Sequence, residues 1–277
     1  MSFSIAGKTV IVTGSANGIG LAIGRHFVDK GANVMFADTD EKALASELGD
    51  KAEDGNVRYF AGDLREKLAI ANLLSATIDA FDQVDVLVNG AQRGRDPARR
   101  GARQVEISDP LDPEDDTVMQ LLAQNLMPSL RLSQLVARRM IKQSESSTSG
   151  AVGSIINLSS IAARRTHPDL MAYSVSTAAL DQMTRSLAVA MAPYRIRVNA
   201  LAIGSVMSHS LKSTLRDNRE YRQDIEDHTP LSRIAAPTEL AEAAQFLASD
   251  AAAFMTGQIL TLDGGRTLVD PVAAPAH

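Results

Sequence analysis

Short apolar runs alternate with longer amphipathic ones along this chain. Thr9-Val10-Ile11-Val12 is a continuous, largely β-branched run with no polar alternation, the pattern of a strand covered on both faces. Asn33 to Asp38, Val57 to Asp63, Val84 to Asn89, Ser154 to Ser159, Ile196 to Ala202 and Gln258 to Leu262 read the same way. Helical patterns lie between them. Ile19, Ala22, Ile23 and Phe27 mark one face of the first, and Gly31 supplies its stop. Asp112-Pro113-Glu114 has the form of an N-cap, a first-turn proline and an N-terminal acid, so a long helix is expected from there to about Met140, kinked at Pro128. The alternation predicts an α/β protein built on a doubly wound parallel sheet of seven strands with helices on both faces. Lys142 to Gly150 is polar and serine-rich, a surface loop. No repeat and no linker divides the chain, so residues 1–277 are expected to form one domain.

Composition narrows the chemistry. The chain has 277 residues, 45% hydrophobic and 22% charged, which suits one large globular domain. A net charge of -5 argues against nucleic acid as the main partner. With no cysteine there is no disulfide, thiolate metal site or cysteine nucleophile, and a cytoplasmic setting fits. MSFSIAGKTV lacks a basic segment followed by an apolar run, so no signal peptide is expected. No uncharged apolar run approaches about 18 residues, so no membrane span is expected. The histidines are scattered without ligand spacing, and no metal is expected.

The first candidate chemistry is Thr13-Gly14-Ser15-Ala16-Asn17-Gly18-Ile19-Gly20, between the first strand and the first helix. Glycines there let the backbone turn sharply and approach a pyrophosphate, and the helix start offers free N–H groups to it. A tight strand-to-helix turn with no ligand is the plainer alternative. Asp38 ends the second strand, where an acid accepts hydrogen bonds from the adenosine ribose and repels a 2′-phosphate. Neither Asn17 nor Thr39 supplies a counter-charge, so NAD is expected rather than NADP. A plain turn residue is the alternative for Asp38.

Further motifs follow in order: Asp63-Leu64, Val88-Asn89-Gly90-Ala91, Asn125 in the long helix, Ser159-Ser160, Tyr173, Arg197 to Gly204 and the closing FLASD…TGQILTLDGG. Together with the glycine loop they make the chain, over about residues 5 to 268, resemble the single-domain type of the short-chain dehydrogenase/reductase family. That resemblance implies a Rossmann fold, NAD as cofactor and hydride transfer to or from a small-molecule carbonyl or alcohol. By the same resemblance Asn125, Ser160 and Tyr173 are catalytic. Ser160 lies thirteen residues before Tyr173, the family's spacing. Tyr173 would exchange the proton, Ser160 would hydrogen-bond the reacting oxygen, and Asn125 would hold a water. Gly14, Asn17, Gly18, Ile19, Gly20, Asp38, Asp63, Leu64, Asn89, Ala91, Tyr173, Thr177, Gly204, Val206 and Ser208 would bind the cofactor. Residues 204–233 correspond to the family's substrate lid, and such enzymes commonly form homotetramers.

The departures are specific. Thr177 stands four residues after Tyr173, where the family has a lysine. Gly90 replaces the second asparagine of the strand-end motif, Gln92 its glycine, and Ile203 the usual proline before Gly204. The lysine lowers the tyrosine pKa from about 10. Threonine supplies no charge, so the resemblance implies a slowed enzyme, with oxidation suffering more than reduction. The rival is a dinucleotide-binding protein with impaired catalysis, a sensor or partner subunit. Arg93, Arg95, Arg99, Arg100 and Arg103 either meet an anionic substrate or form a solvated loop paired with Asp109 to Asp116. His209 and His228 read as surface residues.

Overall fold

The computed structural model describes residues 2–49, 55–91, 109–145, 150–208, 211–212, 215–216 and 218–270. Gln92, the arginine-rich segment and His209 lie outside these residues. The strands are β1 (Thr9–Thr13), β2 (Asn33–Asp38), β3 (Val57–Ala61), β4 (Val86–Asn89), β5 (Gly153–Ser160), β6 (Ile196–Ile203) and β7 (Ile259–Leu262). The helices are α1 (Gly18–Asp29), α2 (Glu41–Leu48), α3 (Lys67–Phe81), α4 (Thr117–Leu121), α5 (Met127–Gln143), α6 (Met171–Met191), α7 (Arg219–Asp227) and α8 (Pro237–Ala248). The strands form one sheet of seven in the order β3-β2-β1-β4-β5-β6-β7, every neighbouring pair parallel.

The continuous apolar strands are explained by burial on both sides. Val10 and Val12 face a core shared with Phe27 of α1 and Leu240, Ala244 and Leu247 of α8. Ile11, between them, faces the opposite core with Leu132 and Val136 of α5 and Ala188 and Met191 of α6. Period-two alternation of direction therefore carries apolar side chains to two cores, which is why no polar alternation is visible. The order reverses between β1 and β4. This is the switch point at whose carboxyl edge open α/β sheets place their ligands.

The expected elements are present, with corrections at their ends. The third strand stops at Ala61 and not Asp63, because Asp63 accepts from Glu66 N–H (2.9 Å) in the turn leading to α3. The fourth begins at Val86 rather than Val84. The expected helix start at Asp112 is wrong. Asp112 accepts from Glu114 N–H (2.9 Å), and Asp109 and Asp115 accept likewise two residues on, giving a run of acid-headed turns before α4 begins at Thr117. The expected kink has a definite form. Leu122–Leu126 is a π-helical turn, closed by Met127 N–H to the Leu122 carbonyl, immediately before Pro128. Proline has no N–H to continue the ladder, and the wider turn absorbs the break.

Candidate active site

The glycine loop leaves β1 at Thr13 and re-enters helix at Gly18. Gly14 has φ +67° and Gly18 φ +60°, left-handed values that glycine adopts without strain. A Cβ on Gly14 would lie 2.5 Å from the Gly90 carbonyl oxygen, and one on Gly20 would lie 2.2 Å from that of Gly14. The loop is thus pressed against both its own helix and the end of β4. Above Gly18 the space is open, with nothing within 4 Å of where a Cβ would stand. Asn17 is the N-cap of α1 in extended conformation, without a side-chain cap, so the helix start keeps N–H groups to offer. Ile19 packs against the α1 side core.

Asp38 is fixed at the end of β2. One carboxylate oxygen accepts from Ala16 N–H (3.0 Å) in the glycine loop, the other from Thr39 N–H (2.7 Å) and Asp40 N–H (3.2 Å). These donors hold a negative charge beside the loop. Asp63 turns its carboxylate to Arg65, accepting from Nε at 2.9 Å, and Leu64 is buried beside it.

At the end of β4, Thr13 Oγ1 accepts from Gly90 N–H (3.0 Å) and Ala91 N–H (3.2 Å). A Cβ on Gly90 would lie 2.6 Å from the Thr13 carbonyl oxygen, so this approach requires the glycine. Asn89 is buried and donates to Asn157 Oδ1 (2.8 Å) and Ser133 Oγ (3.0 Å); Asn157 donates to Thr184 Oγ1 (2.9 Å). This chain ties β4 and β5 to α5 and α6.

Ser160 ends β5, and Tyr173 lies in the first turn of α6, half-buried. The two side chains face each other, and Ser160 Oγ accepts from Ala162 N–H (3.1 Å). Burial pushes the Tyr173 phenol above its ordinary range, and the neighbouring Ser160 hydroxyl only partly opposes this. Asn125 sits in the π turn, 1% exposed, with its amide 3.4 Å from Ser176 Oγ. Ser176 in turn donates to the Tyr173 carbonyl (2.9 Å), so the π turn and the start of α6 are joined.

Thr177 is 1% exposed, and its hydroxyl donates to the carbonyls of Tyr173 and Ser174, both at 3.1 Å. Its one proton serves its own helix. Among the described residues no lysine acts on the Tyr173 phenol in place of the threonine; Arg164 and Arg185 act on Asp181, one turn further along.

Beyond β6, Ile203 is buried in the core and Gly204 lies against Asp263, where a Cβ would come within 2.8 Å of the Asp263 Cβ. Val206 is buried and bridges Ala235. Ser208 Oγ accepts from Leu211 N–H (3.3 Å), capping the turn that follows. His228 is exposed over Asp224, as expected of a surface residue. Among the described residues no cluster of three potential metal ligands occurs, and no helix is long and apolar enough to cross a membrane. Sequence reading missed Ser176 and Asp181, and gave Ser159 no role of its own beside Ser160. Asp181 left one signal, an acid on the sheet-facing stripe of α6.

Tyr173, Ser160 and Asn125 thus converge beside a glycine loop at the carboxyl edge of a doubly wound sheet. A family model described as enoyl-(acyl carrier protein) reductase matches residues 14–267. The chain belongs to this family of short-chain dehydrogenase/reductase oxidoreductases. It is 32% identical over 261 residues to 7alpha-hydroxysteroid dehydrogenase of Escherichia coli (strain K12), covering 94% of each chain. It is 32% identical over 270 residues to NAD-dependent glycerol dehydrogenase of Listeria innocua, covering 96% of each. A solved 7 alpha-hydroxysteroid dehydrogenase, complexed with NADH and 7-oxo glycochenodeoxycholic acid, superposes with a TM-score of 0.81 at 30% identity, covering 95% of each chain.

Proposed function

We propose that this chain is an NAD-dependent dehydrogenase/reductase acting between a small-molecule ketone or aldehyde and the corresponding alcohol. The observation that carries the reading is that Ser160, at the end of β5, and Tyr173, in the first turn of α6, face each other at the carboxyl edge of the sheet, with Asn125 tied to the start of α6 behind them. The open space above Gly18 and the uncapped start of α1 fit a pyrophosphate, and the fixed charge of Asp38 fits ribose hydroxyls and repels a 2′-phosphate. Gly14, Asn17, Ile19 and Gly20 would shape that cradle. Leu64 with Asp63 would bound the adenine. Asn89, Ala91, Thr177, Gly204, Val206 and Ser208 would border the nicotinamide half. The bound nicotinamide supplies or removes the hydride. Tyr173 gives its phenolic proton to the substrate oxygen in reduction and takes one in oxidation. Ser160 donates to the same oxygen as charge develops there.

Direction follows from the tyrosine. Thr177 stands in the lysine position and provides no cation, and burial favours the neutral phenol. Tyr173 is therefore ready as an acid at neutral pH and poor as a base, so reduction is the faster direction. The commitment of the Thr177 hydroxyl to helix carbonyls favours a second reading, a dinucleotide-binding protein with impaired turnover. Residues 204–233 would act as the lid in one domain spanning the chain, and the chain would assemble as a homotetramer in the cytoplasm. The test is a screen of ketones and aldehydes with NADH, and of secondary alcohols and polyols with NAD, using the parent and Tyr173→Phe. Turnover lost in the variant supports the reading. Turnover that survives Tyr173→Phe refutes the assigned acid.

A further inference from the structure

One buried acid has no part in the chemistry above. Asp181 lies in the middle of α6, 4% exposed, and its Oδ1 accepts from Ser159 Oγ at 2.6 Å; Ser159 is 3% exposed. Burial pushes the Asp181 carboxyl above its usual range, while the Ser159 hydroxyl and the charges of Arg185 and Arg164 draw it back. Placing a carboxylate in a core is costly, and an apolar side chain of similar size is often as stable or more so. A short bond to a charged acceptor, by contrast, holds two elements in a defined relation.

The elements it holds are the two that carry the reacting side chains. Ser159 immediately precedes Ser160 on β5, and Asp181 lies two turns beyond Tyr173 on α6. Asp181 is about 12 Å from Tyr173 along the axis, so it does not reach the phenol itself. Its side chain leans toward the helix N-terminus, as helical side chains do, and so meets the end of β5. Thr184, further along α6, accepts from Asn157 two residues before Ser159. Tyr173 meets Ser160 at the top of the same stripe. Helix and strand are thus fastened at two levels below the reacting pair, and Asp181–Ser159 is the fastening next to the chemistry.

We infer that Asp181 is a positioning residue: through Ser159 it fixes the end of β5 against α6 and so holds Ser160 at Tyr173. This rests on the reading of Ser160 and Tyr173 as the reacting pair. The test uses full-length protein carrying tyrosine labelled with 13C at Cζ, whose resonance reports hydrogen bonding at the phenol. There are four tyrosines, and Tyr173→Phe assigns the one of interest. Ser160→Ala gives the displacement that marks loss of the Ser160 hydroxyl. The expected result is that Ser159→Ala and Asp181→Leu move the Tyr173 resonance by at least half of that displacement, while Asp181→Asn, which keeps an acceptor, leaves it in place. An unmoved resonance in Ser159→Ala overturns the inference without relying on a variant that fails to fold. Asn behaving like Leu also overturns it, because the charge and not the brace would then act on Tyr173. If Ser160→Ala itself moves nothing, the pairing of Ser160 with Tyr173 fails, and the brace fails with it.

Discussion

Replacing Thr177 by lysine tests the electrostatics of the site. Position 177 is one helical turn beyond Tyr173, and side chains at that spacing stand about 5–6 Å apart at Cβ. The new stem leans toward the helix N-terminus, hence toward Tyr173. At roughly 5.5 Å and an effective dielectric of about 20, an ammonium and a phenolate attract by about 3 kcal/mol, equivalent to about two pKa units. Position 177 is 1% exposed, so the ammonium must reach solvent to stay charged. In the parent, Tyr173 is held above its ordinary range, and oxidation should therefore climb with pH beyond neutrality. In Thr177→Lys the oxidation profile should move down by about two units, and oxidation at neutral pH should rise up to roughly 100-fold, with a smaller effect on reduction. The assay is the pH profile of alcohol oxidation in both proteins, with folding and NADH binding as controls. A folded, NADH-binding variant whose profile stays in place would mean that an ammonium at position 177 does not act on Tyr173.

Other outcomes follow from the same geometry. Asp38→Ala removes a charged acceptor, a loss of about 1.5–3 kcal/mol; NADH binding should weaken roughly 10- to 100-fold by calorimetry while NADPH changes little. Gly14→Ala puts a Cβ 2.5 Å from the Gly90 oxygen at φ +67°. Strain and overpacking together should cost about 2–5 kcal/mol in urea unfolding. Glu239 is held at a pKa of about 2, first by Arg233 and then by the Ala236 N–H. A depressed acid stabilises above its unfolded value of about 4.3 and loses that contribution as pH falls through its folded value. Hydrogen exchange at the Ala236 amide should therefore be slower in the parent than in Glu239→Gln at pH 6, with the difference shrinking toward pH 2.

The sheet was legible because burial on both faces leaves uninterrupted apolar runs, and the glycine loop because its backbone demands are local. The start of α4 was not. Asp112-Pro113-Glu114 satisfies the rules of an N-cap, but an aspartate heading an isolated turn uses the same hydrogen bond, and only the chain beyond decides between them. Pro128 announced a break but not its form as a π turn, which places Asn125 beside Ser176. Gly90 looks like a loss in the sequence; in the structure it is the residue that lets β4 end against Thr13 and Gly14. Asp181 was overlooked because its partner, Ser159, is distant in sequence and is brought to it by the α6–β5 packing.

The glycine loop at the β1–β4 switch point, with Asp38 beside it, is proposed to take NAD. The most direct measurement is a calorimetric titration of the purified protein with NADH and, separately, with NADPH. Micromolar binding of NADH is expected, with NADPH weaker by at least about tenfold, the separation a fixed carboxylate at Asp38 should produce. Equal or tighter binding of NADPH, or no binding of either, would contradict it.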